Sequence, residues 1–170
     1  MNTTSMNWYL VHTKPRQEGI ALSNLTRQDY ECYLPTLPVE KIRKGALTLV
    51  EEPLFPRYLF IRLGQGLEAK SWTPIRSTLG VSRLVRFGME PAKVDDELIA
   101  ALRQHESAYR AQPQKLFEVG QKVVITQGPF AGVEGIFQMN DGEQRVMVLI
   151  EIMSKQVPLR VAPHEVKSAV

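Results

Sequence analysis

Reactive side chains are scarce in this sequence. A single cysteine, Cys32, stands among 170 residues, so no intramolecular disulfide can form and a reducing compartment is expected. His12, His105 and His164 are far apart, and none has a second ligand at helical spacing, so no metal site is assigned. GPFAG at 128–132 is followed by no Lys-Ser/Thr pair and is not a phosphate-cradling loop. Glu51 and Glu52 are adjacent, and side chains at i and i+1 diverge on a strand, which makes them a poor acid/base pair. No catalytic residue and no cofactor is assigned, and an enzyme is not expected. The start, MNTTSMNWYLV, has neither a basic n-region nor a long apolar run. A cytoplasmic protein without membrane association is expected.

Charge of one sign is also sparse, with a net charge of +3, but it is unevenly placed. Residues 13–86 carry 12 Lys/Arg against 7 Asp/Glu, whereas residues 113–170 carry 6 of each. That surplus is compatible with nucleic acid nearby and equally with an ordinary solvated face.

The chain organises itself around proline and glycine. Asn7–His12 reads as a short strand of aromatic and branched residues. Pro15 suits the first turn of a helix over 16–28, with Ala21, Leu22 and Leu25 on one side. CYLPTLPVEKIRKGALTLVEEPL suggests two extended segments around a basic turn, KIRKG, bent at Gly45. PRYLFIRL gives a nearly continuous apolar strand from Tyr58 to Leu63, expected to be covered on both faces. A polar segment containing Trp72, assigned to the core, leads to the alternating strand VSRLVRFG. Asp95 is an N-cap for a helix running to about Tyr109, with Leu98, Ile99, Leu102 and His105 in one stripe. Strands interleaved with helices point to an α+β sandwich over 1–109. Residues 110–116 then read as a linker, and 117–170 as a small second domain punctuated by Gly128-Pro129, Gly132, Gly135 and Asn140-Asp141-Gly142, in the manner of a β-barrel.

Inside that second domain one stretch, RVMVLIEIMSKQV at 145–157, carries two periods at once. Val146, Val148, Ile150 and Ile152 alternate as a strand with one buried face would. Val146, Leu149, Ile150, Met153 and Val157 fall on one helical stripe instead. Glycines 132 and 135 oppose a helix upstream of it. Period alone does not choose between the two structures.

EEPLFPRYLF sets Phe55, Tyr58 and Phe60 around two prolines, which would interrupt a central strand. Tyr58 and Phe60 share a face. They either build the core or present an aromatic patch to a protein partner, and both readings stand on the sequence alone.

NWYLVHTKPRQ, EKIRKG, EEPLFPRYLFIRL, GVSRLVRFG and the KOW-type segment VGQKVVITQGPFAGVEGIF follow one another over nearly the whole chain. Together they resemble the NusG family of transcription elongation factors. LFP-YLF and VRFG resemble most the branch of that family typified by RfaH. The resemblance implies a NusG-type N-terminal α/β sandwich joined to a KOW domain, β-barrel when free and an α-helical hairpin when docked. It implies an operon-specific antitermination factor, a monomer, that binds bacterial RNA polymerase through an apolar patch of Phe55, Pro56, Tyr58, Phe60 and Phe87. His12 stands at the edge of this patch where the family has tyrosine.

The same resemblance implies reading of an exposed non-template DNA strand, with Lys14 on a phosphate and Gln17, Asn24 and Thr78 in the reading set. Asn24 replaces a histidine and Leu79 an arginine, and SWTP at 71–74 replaces a His-Thr-Thr-Thr run. In the closed form, Glu52 and Arg145 would form an interdomain ion pair and Phe137 would insert into the apolar interface. The refolded barrel would recruit the ribosome through a protein of its small subunit. Two rivals remain open: a general, constitutively open NusG-like factor, and a KOW-type RNA- or ribosome-binding module.

Overall fold

The computed structural model describes residues 5–66, 69–111 and 132–154. In chain order the elements are β1 (Ser5–Thr13), α1 (Glu18–Arg27), β2 (Glu31–Tyr33), β3 (Thr36–Arg43), β4 (Ala46–Pro53), β5 (Tyr58–Gln65) and α2 (Thr73–Arg76). They continue with β6 (Val81–Leu84), β7 (Arg86–Phe87), β8 (Glu90–Pro91), β9 (Lys93–Val94), α3 (Asp96–Ala111), α4 (Val133–Gln138) and α5 (Gly142–Ser154). Two compact units result, one of residues 1–34 with 56–99, the other of 35–55 with 100–170. This partition differs from a division at 110–116: a hairpin from the first half of the chain groups with the C-terminal half. The expected linker, 110–116, lies outside the described residues except at its first two positions.

The first unit is a mixed α/β layer. Its sheet runs β2-β5-β1-β6, with β9 also paired to β1. The central pair is antiparallel, with Leu10 opposite Phe60 and His12 opposite Tyr58. Tyr9 and Val11 of β1, with Leu59, Ile61 and Leu63 of β5, form one core with Ala21 and Leu25 of α1. Trp8, Leu10 and Phe60 alternate with these and are also buried. The apolar run at 58–63 is thus covered on both faces, as its composition requires. Trp72 packs against that core, its indole N–H donating to the Gly64 carbonyl at 2.9 Å and its ring meeting Tyr9 edge-on at 4.9 Å.

Helix α1 begins later than Pro15 suggests. Arg16 takes a left-handed φ of 61°, so the helix cannot start until the chain has turned. The four-residue α2 is too short to leave a periodic signal, and the sequence reading missed it. Asp95 caps α3, its carboxylate accepting the Glu97 N–H at 3.0 Å.

The second unit holds the β3–β4 hairpin, the later turns of α3, and α4 and α5. The hairpin pairs from Thr36 opposite Pro53 to Arg43 opposite Ala46. Lys44 and Gly45 both have positive φ, 53° and 76°, the geometry of a tight two-residue turn whose twist matches the strands. At its open end Arg110 of α3 grips Glu51 with two 2.8 Å bonds and Thr36 Oγ1 with a third at 2.6 Å.

Residues 142–154 are helical. The buried face is Arg145, Val148, Leu149, Ile152 and Met153, while Met147 is 70% exposed. This stripe is rotated from the one expected, because Arg145 and not Val146 leads it. Val157 lies outside the described residues. The strand period of the same residues is unused here, and the described part of 117–170 contains no strand. Gly135 sits inside α4 against expectation, buried, and Gly132 precedes α4 with φ of 115°. A Cβ at Gly132 would stand 3.4 Å from Val148 Cγ1 and 3.6 Å from Ile152 Cδ1. A Cβ would thus make only ordinary contact with α5, and it is the left-handed turn into α4 that calls for glycine here.

Candidate functional site

The second unit places side chains of α4 and α5 against the hairpin stem and the end of α3. Phe137 is 5% exposed and stacks on His105 at 5.7 Å, with Tyr109 tilted beside it at 6.4 Å. Arg145 is buried at 4% exposure; its Nε donates to the Leu54 carbonyl at 2.6 Å and its Nη1 to the Met139 carbonyl at 2.6 Å. Burial pushes its pKa down, and the charges of Glu52, Asp141 and Tyr109 act in the opposite direction.

The expected Glu52–Arg145 ion pair does not form among the described residues. Glu52 pairs with Lys41 across the hairpin, and its influence on Arg145 is through the field alone. The reason is geometric. A guanidinium can satisfy two carbonyls at different angles, and the Arg145 Nε and Nη1 are taken up by those of Leu54 and Met139. Asp141 Oδ1 accepts the Glu143 N–H at 3.0 Å, so Asn140-Asp141-Gly142 serves as a helix–helix loop that caps α5.

Of the five aromatic and proline residues assigned to a partner-binding patch, Phe55 lies in this unit and is fully buried, next to the Leu54 that Arg145 engages. The other four belong to the first unit. Phe60 is fully buried and stacks on Tyr33 at 6.0 Å; Pro56, Tyr58 and Phe87 are partly exposed. The bend at Pro56 is held firmly. Arg57 has φ of 71°, its N–H donates to the Glu18 carboxylate at 3.2 Å, and its Nε donates to the Thr13 carbonyl at 3.2 Å. Tyr58 tilts over His12 at 5.0 Å. Burial first, then the cations Arg57 and Arg83, lower the His12 pKa, and its buried Nδ1 has no hydrogen-bond partner.

The four residues assigned to DNA also lie in the first unit. Lys14 is exposed, with its N–H donating to the Gly80 carbonyl at 2.9 Å. Gln17 precedes α1, half-buried, and makes no side-chain cap. Asn24 donates to the Ile20 carbonyl at 2.8 Å. Thr78 is 7% exposed; its hydroxyl donates to the Pro74 carbonyl at 2.8 Å and accepts from Gln28 Nε2 at 2.8 Å. Lys14 is open to solvent and Gln17 only partly so, whereas the Thr78 hydroxyl is engaged on both sides and holds the turn it belongs to. Gln28 was missed by the sequence reading, since nothing local connects it to a threonine fifty residues away.

The family model described as "Transcription termination factor nusG" matches residues 6–103. A Transcription termination/antitermination protein NusG from Thermus thermophilus is 31% identical, over 97% of this chain and all of that one. The protein of the same name from Rickettsia bellii is 27% identical, over 94% of this chain and 88% of its own. A solved structure described as "Domain interaction in Thermotoga maritima NusG" covers 74% of this chain and 75% of that one, at 20% identity and a TM-score of 0.43, too loose a fit to carry an argument.

Proposed function

The chain belongs to the NusG family, and from that premise we propose that it is an operon-specific elongation and antitermination factor of the RfaH type, held closed by its own C-terminal helices. It binds RNA polymerase through the patch of Phe55, Pro56, Tyr58, Phe60 and Phe87, and an exposed non-template strand through Lys14 and its neighbours. Bound in this way, it suppresses pausing. The single observation that supports this version over its rivals is the helical state of α4 and α5, with Phe137 and Arg145 engaged on α3 and on the residue before Phe55.

An apolar residue contributes to binding only where it can reach its partner. Phe55 has no exposed surface while Arg145 holds the Leu54 carbonyl. In this reading polymerase and the helices compete for Phe55, and a DNA signal read by the first unit tips the balance. Freed, residues 117–170 adopt the barrel that their alternating period also permits, and recruit a small-subunit ribosomal protein. The two forms need to lie within a few kcal/mol for such a switch to work.

The second reading, a constitutively open general factor, is favoured by the relatives, which carry the name NusG. Substitution of Arg145 by alanine separates the two. It removes two charge-assisted hydrogen bonds from a buried site, each on the order of 1.5–3 kcal/mol, and should tighten polymerase binding by the full chain by about tenfold or more. Unchanged affinity would favour the open factor.

A further inference from the structure

Besides Glu143 in its first turn, helix α5 carries two charged side chains, Arg145 and Glu151. Their surroundings differ. Arg145 is buried and donates to two carbonyls. Glu151 is only partly buried, yet its Oε1 is shut off from solvent and has no hydrogen-bond partner among the described residues. No described cation forms an ion pair with it. In the second unit it is the one described side-chain polar atom in that condition. A carboxylate oxygen that loses water and gains no donor destabilises the form in which this happens. Here that form is the helical one.

Helix propensity does not account for the residue, since glutamate, leucine and methionine rank close together in helix interiors. An apolar side chain would suit the helix better at this place. The strand period shows what glutamate offers instead. Val146, Val148, Ile150 and Ile152 share one strand face, and Glu151 falls on the other. With the branched face buried, a strand over these residues would return the carboxylate to water. Glu151 is also the only charged residue between Val146 and Ser154. The one charge in this run is thus penalised in the helical form and tolerated in the alternating one.

We infer that Glu151 is a release residue, whose unpartnered carboxylate oxygen weakens the helical form of α5 and keeps the closed state open to displacement. The inference rests on the closed reading above and names a residue that sets its balance. Hydrogen exchange of the α5 amides and polymerase affinity, both measured on the full chain, test it. Glu151→Met keeps an unbranched side chain of similar helix propensity and removes the carboxylate. It should slow exchange over 142–154 about tenfold, the scale set by one unsatisfied buried group. Polymerase binding should weaken by about the same factor, because less of the chain is open. Glu151→Gln keeps the shape and removes only the charge, so it should move both readouts in the same direction and less far. Unchanged or faster exchange in both variants would overturn the inference and leave the closed reading to the Arg145→Ala result. Slower exchange with unchanged polymerase affinity would mean that α5 does not limit access to the patch. The closed reading would then fall, and this inference with it.

Discussion

Arg145 and Cys32 are two residues whose surroundings, more than their type, set their roles. The family resemblance makes Arg145 one half of a long-range ion pair with Glu52, and the structure gives it two carbonyls instead. Which carbonyls need a donor is a property of backbone geometry, and no local pattern reports that Leu54 and Met139 do. Cys32 is partly buried against the core of the first unit, and burial first, then the Glu31 charge, push its thiol up to about 12. The thiol stays neutral at pH 8 and should alkylate far more slowly in the native chain than in the unfolded one, which iodoacetamide labelling followed by mass spectrometry would read. The sign of the linked stability follows. With the folded value raised from 9.0, the unfolded thiol ionises first, so this contribution to stability is intact below pH 9 and is lost as pH climbs toward 12.

At the scale of elements, local signals were legible and non-local ones were not. The KIRKG turn, the Asp95 cap and the strand at 58–63 each depend on residues close in sequence, and each forms as read. The strand order β2-β5-β1-β6 and the Gln28–Thr78 bridge join distant residues and left no trace in composition or period. The candidate site divides the same way: its cationic and aromatic residues were visible, their burial was not. Gly80 marks one such distant contact. Gly80→Ala combines a left-handed φ with a backbone clash at Ala21, and should lower stability by about 2 kcal/mol or more in urea unfolding. Helix α5 offers a sharper comparison. Leu149 is fully buried and Met147 is 70% exposed, one on each face of the same helix. Leu149→Ala should cost about 2–5 kcal/mol of α5 docking, seen as loss of helical carbon chemical shifts over 142–154. Met147→Ala should stay within about 0.5 kcal/mol. If the strand period governed instead, Met147 and Leu149 would share a face and respond together.

For the whole molecule, the unresolved choice at 145–157 becomes the functional question. A sequence that satisfies two periods has two ways to bury apolar surface, and local propensity cannot rank them. In the chain described here the helical one is present, stabilised by Phe137 on His105 and Tyr109 and by Arg145 on two carbonyls. Met139 lies in the loop just before α5, whereas His105, Tyr109 and Leu54 come from α3 and the β4–β5 connection, far away in sequence. The proposal of a closed, signal-dependent factor therefore requires that the helices depend on them. Far-ultraviolet circular dichroism of the full chain, of residues 1–112 and of residues 113–170 tests that dependence most directly. The full chain should show clearly more helix than the sum of the two fragments, with 113–170 giving a β spectrum by itself. Spectra that simply add, whether the small fragment is β or helical, would contradict the account, because the C-terminal structure would then owe nothing to the rest of the chain.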